Sequence, residues 1–217
     1  MLLLAMDTAT PAVTVALHDG QSVVAQSSQV DARRHGELLL PAVHRVLDEA
    51  GLGLDAVTDL VVGVGPGPYT GLRVGLVTAA TFGSALGVPV HGLCTLDGLA
   101  YASGFDEPFV VATDARRKEV YWARYDDART RVTEPAVDRP ADIADLVAGL
   151  PAVGAGARLY GEVFPDAREP EHQSAAALAG LAAERLAAGE TLLDPLPLYL
   201  RRPDAQVPKN YKVVTPQ

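Results

Sequence analysis

Residues 2–20 read LLLAMDTATPAVTVALHDG, and residues 109–127 read FVVATDARRKEVYWARYDD. Laid over one another at a constant offset, they pair Ala5 with Ala112, Asp7 with Asp114, Val13 with Val120, Ala16 with Ala123 and Asp19 with Asp126. In each copy an apolar strand ends on an aspartate, a polar turn follows, and a second strand runs to an acidic turn. A repeat of this kind predicts two similar α/β halves in tandem rather than one continuous sheet.

Outward from the first copy, the hairpin signal Asp19-Gly20 leads into a third strand over 22–28. A helix is predicted over 36–50, with Leu39, Val43, Val46, Leu47 and Ala50 on one stripe and Gly51 placed to cap it. A strand over 60–64, a glycine-rich loop, a helix over 70–86 and a short strand over 88–93 complete a β-β-β-α-β-α-β order. One more helix fits before a boundary near 103–107, so the expected lobes are 1–104 and a smaller 105–217. In the second copy the pattern predicts a third strand over 131–136, a helix over 140–150, a strand over 152–154 and a helix over 174–188. Ser174 and Gly189 are placed to cap that last helix.

With 217 residues, 48% of them hydrophobic and 21% charged, the chain has the composition of a folded protein with a usable core. Asp and Glu number 27 against 18 Lys and Arg, a net charge of −9, which argues against coating duplex nucleic acid unaided. The end of the chain differs: Arg201, Arg202, Lys209 and Lys212 face only Asp204 there. That basic tail reads either as a solvated end or as a contact for a polyanion. A single cysteine, Cys94, excludes a disulfide within the chain and reads as a small buried apolar side chain. The first six residues lack the basic start and the length of a signal peptide. The uncharged stretch 74–96 is broken by glycines and Pro89, which suits a buried helix and strand rather than a membrane span.

Residues 63–75 read GVGPGPYTGLRVG and lead from a strand into a helix, the geometry in which helix-terminal amides hold an anion. The Lys-Ser/Thr pair of a P-loop is missing, so the loop stands equally as a rigid proline-stiffened turn. Asp7 and Thr8, together with Gly65 and Gly67, are the candidate nucleotide or phosphate contacts. Asp7 and Asp114 are placed either to coordinate Mg²⁺ beside a phosphate or to bond the amides of the following turn. Gly71, Gly75, Ala79, Gly83 and Gly87 recur every four residues, a smooth stripe for a close neighbour in this chain or in a partner. The five histidines form no H-E-x-x-H or H-x-x-x-H, and Ser28, Ser84 and Ser174 sit in no nucleophile elbow.

Four segments together resemble the bacterial TsaB family: Met6-Asp7-Thr8-Ala9-Thr10; Arg34-His35-Gly36-Glu37 with Leu40-Pro41; the run from Gly65 to Gly75; and Pro197-Leu198-Tyr199-Leu200-Arg201. The resemblance implies two tandem actin-like lobes of the ribonuclease H-like type, with mixed sheets flanked by helices. It implies a part in making the threonylcarbamoyladenosine modification of tRNA, in the cytoplasm and away from membranes. It implies partners as well: the catalytic paralogue TsaD, the ATPase TsaE, a second copy of the chain when alone, and tRNA only through the complex. The expected pairing surface is His35, Leu39, Val43, Val46, Arg73, Gly75, Ala79 and Gly83. Where TsaD proteins carry metal-binding histidines, this chain has Thr95 and Leu99, and an acidic residue of the TsaD first loop falls on Pro11.

Those substitutions imply no catalytic residue and no resident metal or cofactor, with ATP or ADP expected at most at the junction with TsaD. The rival expectation is an active enzyme. It would be a nucleotide-dependent phosphotransferase using Asp7 and the glycine loop, or a glycoprotease-like peptidase.

Overall fold

The computed structural model describes residues 1–201. β1 (Leu3–Asp7) and β2 (Ala12–His18) form an antiparallel hairpin, and β3 (Val23–Val30) pairs antiparallel with β2. After α1 (His35–Ala50), β4 (Asp59–Gly63) lies parallel to β1; after α2 (Tyr69–Leu86), β5 (Val90–Leu93) lies parallel to β4. The sheet order is therefore β3-β2-β1-β4-β5. Both β1 and β2 are buried along their whole length, so this sheet must be covered on both faces.

One face is covered by α1 and α2, which set Leu39, Val43, Val46, Leu72, Leu76 and Ala79 against Leu4, Met6, Val15, Leu17 and Val62. Gly51 ends α1 at φ 66°, its amide donating to the Asp48 carbonyl, a left-handed residue that costs glycine nothing.

α3 (Thr95–Ser103) leads to the second sheet, built from β6 (Phe109–Asp114), β7 (Val120–Asp127), β8 (Thr130–Arg131), β9 (Ala136–Asp138), β10 (Ala152–Val153) and β11 (Ala167–Arg168). α4 (Ala144–Val147) and α5 (Ala155–Leu159) flank it. Read from the far edge, its order β8-β7-β6-β10-β11 repeats the first sheet position for position, with the same parallel and antiparallel senses. The fold is thus two tandem actin-like lobes with mixed sheets flanked by helices.

The two hairpins differ by one residue. Asp7 pairs with Thr14, whereas Asp114 pairs with Val120, so the second turn is shorter and the constant offset holds only for the first strand of each. The expected strand over 131–136 is instead two short pieces, β8 and β9, both pairing with β7. The expected helix over 140–150 is a 3₁₀ turn, Pro140–Ile143, followed by the single turn of α4.

α6 (Ala175–Ala187) follows the second sheet in sequence but packs on the first. Leu178, Ala179, Leu181 and Ala182 cover Leu3, Ala5, Ala16 and Val61, the face opposite α1 and α2. Ser174 precedes α6 without making the side-chain cap its identity predicts. Among the described residues no helix is long and apolar enough to cross a membrane.

Candidate functional site

The turn after β1 and the start of α2 are stitched together by one hydroxyl. Thr8 Oγ1 donates to the Gly71 carbonyl at 2.7 Å and accepts from the Gly75 amide at 2.9 Å, the two groups that a regular helical turn would pair. This explains two glycines directly. A Cβ on Gly71 would stand 2.7 Å from the Thr8 carbonyl oxygen, and one on Gly75 would stand 2.7 Å from Thr8 Oγ1.

Asp7 is enclosed in the same way. One carboxylate oxygen accepts from the Ala9 amide at 2.7 Å and the other from Thr95 Oγ1 at 2.8 Å, while Thr95 in turn accepts from the Gly65 amide. Gln173 closes the far side, donating to the Asp7 and Ala12 carbonyls. Asp7 has no exposed surface, and burial pushes its carboxyl above the ordinary range. The glycine loop folds onto this turn so closely that a Cβ on Gly67 would meet the Ala9 carbonyl oxygen at 2.0 Å.

The four candidate contacts Asp7, Thr8, Gly65 and Gly67 are therefore brought together, but against each other. Both carboxylate oxygens and the Thr8 hydroxyl are spent on protein groups, and the chain's own backbone occupies the space in front of them. Asp7 and Thr8 thus present no side-chain oxygen that is not already bonded to a protein group.

The segment aligned with the TsaD metal site is likewise filled. Thr95 and Leu99 are fully buried. Asp97, between them, accepts from the Tyr125 hydroxyl at 2.9 Å and from Arg131 at 2.7 Å, with Arg185 at 3.8 Å. An aspartate on α3 thus joins β7, β8 and α6, its carboxylate engaged by their side chains. Cys94 is buried, which pushes its thiol up to about 12 and leaves it a packing residue. Among the described residues no group of three or more His, Cys, Asp and Glu is arranged to hold a metal ion.

The expected pairing residues divide by face. Leu39, Val43, Val46, Gly75, Ala79 and Gly83 are buried in this chain's own core, and a Cβ on Gly83 would stand 2.3 Å from Val90 Cγ2. The small-residue stripe faces β4 and β5 because only glycine and alanine let α2 lie this close to its sheet, so these six are corrected from interface to core. Beyond Arg73 the opposite face is uncharged and open: Val77 is 63% exposed, flanked by exposed Ala80, Thr81, Ser84 and Ala85, with Leu40 exposed on α1.

His35, half-buried, donates from Nε2 to the Thr10 carbonyl at 2.8 Å. Arg73 is exposed, its guanidinium 3.7 Å over the Tyr69 ring and its Nε donating to the Tyr199 hydroxyl. Tyr69 and Tyr199 stack at 5.3 Å.

The segment 197–201 proves to be a strap. The Leu198 amide donates to the Val64 carbonyl in the first lobe, and Arg201 reaches the Ala115 carbonyl and Glu119 in the second. Of the basic tail only Arg201 is described, and it is engaged; Arg202, Lys209 and Lys212 lie outside the described residues.

The hairpin that Arg201 holds turns through three consecutive left-handed residues, Arg116, Arg117 and Lys118, at φ 61°, 58° and 62°. For side chains without glycine's freedom each costs about 1–2 kcal/mol. Nothing in the residue types announced it, since Asn and Gly are the usual signals of such a turn.

A family model described as TsaD: tRNA N6-adenosine threonylcarbamoyltransferase matches residues 23–165. An uncharacterized protein of Mycobacterium tuberculosis (strain ATCC 25618 / H37Rv) is 45% identical over 207 residues, covering 94% of this chain and 93% of its own. The tRNA threonylcarbamoyladenosine biosynthesis protein TsaB of Bacillus subtilis (strain 168) is 31% identical over 147 residues, which are 67% of this chain and 64% of that one. A solved structure of YeaZ from Pseudomonas aeruginosa superposes with a TM-score of 0.79 at 32% identity, covering 92% of this chain and 99% of that one. The chain also spans 56% of an uncharacterized relative from Mycobacterium leprae (strain TN).

Proposed function

The chain belongs to the TsaB family, and on that footing we propose that it is a non-catalytic subunit of the machinery that installs threonylcarbamoyl on tRNA adenosine. It pairs with the TsaD paralogue, or with a second copy of itself when alone, and the pair receives the ATPase TsaE. It works in the cytoplasm and meets tRNA through the assembled complex. Any ATP or ADP it touches lies at the junction with TsaD.

The observation that carries this reading is the outer face of α2. Within Tyr69–Leu86 the one charged side chain is Arg73, yet Val77, Ala80, Thr81, Ser84 and Ala85 are exposed. A solvated helix face is ordinarily studded with charge, and an uncharged one this long is suited to being covered. The buried partners of Asp7 and the residues Thr95 and Leu99 support the non-catalytic half of the reading, since a group already bonded to its own chain is not free to bind substrate or metal. No observation favours the phosphotransferase or peptidase reading.

The test is a paired substitution. Val77→Glu with Ala80→Glu changes only exposed side chains, so the melting temperature is expected to hold. Capture of the separately purified TsaD paralogue of the same organism, measured by calorimetry, is expected to weaken by at least about tenfold, because two charges would have to be buried unpaired. Undiminished capture by the folded variant would overturn the pairing surface.

A further inference from the structure

The run from Gly65 to Gly75 and the segment 197–201 lie far apart in the sequence, and their side chains meet at the start of α2. Tyr69 and Arg73 stand one turn apart on the helix, and Tyr199 reaches them from the strap. The Arg73 guanidinium lies 3.7 Å over the Tyr69 ring, its Nε donates to the Tyr199 hydroxyl at 2.8 Å, and the two rings stack at 5.3 Å. All three side chains are exposed. Arg34, Arg129, Arg131, Arg158, Arg168 and Arg201 each pair with an aspartate or glutamate. Arg73 differs: it is held by two tyrosines, and among the described residues no carboxylate pairs with it.

The cluster continues the outer face of α2, since Tyr69, Arg73, Val77, Ala80 and Ser84 follow one another at helical spacing and are all exposed. A partner that covers this face takes the guanidinium out of water, and a cation buried without a counter-charge is heavily destabilising. We propose that Arg73 is the anchor of the pairing face, held by Tyr69 and Tyr199 to receive a carboxylate of the partner protein. The proposal rests on the reading of this face as the surface that meets the TsaD paralogue, and it names what that paralogue presents there: an aspartate or glutamate aligned with the fork. A planar guanidinium already fixed over a ring accepts a carboxylate through two parallel hydrogen bonds and loses little freedom in making them. Arginine and tyrosine are also the residue types that carry most of the energy at interface centres. A phosphodiester strand fits less well, because its successive charges call for several cations and α2 offers one. The strap acquires a purpose, delivering the Tyr199 hydroxyl to a helix 126 positions away.

The test is capture of the purified TsaD paralogue by the full chain, measured by calorimetry at about 50 mM and about 500 mM NaCl, a range over which ion pairs are increasingly screened. Wild-type affinity is expected to fall about fivefold or more across it. Arg73→Gln is expected to weaken capture about tenfold or more at the lower salt and to remove most of the salt dependence. Arg73→Lys keeps the charge without the fork and should fall between the two. Tyr199→Phe keeps the ring stack and removes the hydroxyl, so capture should weaken by about threefold with the salt dependence retained, as expected of a positioning residue. Arg168→Gln, whose partners are Asp166 and Glu107 on the second lobe, should change neither quantity. Undiminished capture by folded Arg73→Gln, or capture by it that still weakens with salt as the wild type does, would overturn the anchor. If Val77→Glu with Ala80→Glu weakens capture and Arg73→Gln does not, the pairing face stands and the anchor alone falls; if neither weakens it, both fall. Should Arg73→Gln melt early, Arg73→Lys and the wild-type salt dependence decide, since wild-type capture indifferent to salt leaves no ion pair at Arg73.

Discussion

Asp7 shows how one residue type serves opposite chemistries depending on what surrounds it. An aspartate ending the first strand of an actin-like lobe is placed for metal and phosphate, yet here both its oxygens accept from protein donors and its carboxyl is pushed upward by burial. A raised native value means the folded state holds the proton more firmly than the unfolded state does. The stability tied to Asp7 is therefore complete at low pH and is lost as the pH rises through the native value. Relative to Asp7→Asn, which does not titrate, the wild type is expected to lose stability progressively as the pH rises above about 4. Urea-unfolding midpoints at rising pH measure the difference, and a wild type that instead gains on the variant as the pH rises would show the carboxylate to be the favoured buried form. The aspartate itself was legible from its place at a strand end. Its enclosure was not, because Thr95, one of the two residues that donate to its oxygens, is 88 positions away and no spacing rule connects them.

At the scale of one helix, α2 is read correctly in position and incorrectly in orientation. Its extent and its four-residue rhythm of small side chains were plain in the sequence, but a smooth stripe fits a sheet as well as it fits another helix. The sheet wins because β4 and β5 lie beneath it and a Cβ at Gly83 has no room against Val90. Gly83→Ala is accordingly expected to cost about 1–3 kcal/mol in urea unfolding, as overpacking does. Val77→Ala on the other face should stay within about 0.5 kcal/mol. Equal effects at the two positions would mean that α2 does not sit on its sheet as described.

The two lobes are not two independent pieces of chain. α6 covers the first sheet from the far end of the sequence, and its Glu184 binds Arg129 of the second lobe through both oxygens. Asp97 on α3 ties to Arg131 on β8, and the strap at 198–201 runs from Val64 to Ala115. A chain of residues 1–104 alone lacks α6 and the strap, so it would leave Leu3, Ala5, Ala16 and Val61 facing water. It is expected to aggregate or to lack a cooperative unfolding transition, with circular dichroism and sedimentation as the measurements. A soluble monomer that unfolds cooperatively would show that the first lobe needs no cover from the second half.

By itself the sequence determined the tandem α/β architecture, since repeated strand patterns, glycine caps and apolar stripes act over short distances and leave a local record. It also carried the family resemblance, through the Gly-Pro-Gly-Pro-Tyr-Thr-Gly-Leu-Arg run. Only the tertiary structure decided which face of α2 is core, that α6 crosses to the first sheet, that Asp7 is enclosed, and that Arg73 meets Tyr199. Each of those depends on which distant segment fills a space first. Close packing admits one occupant per volume, and the identity of that occupant is written nowhere near the residue it touches.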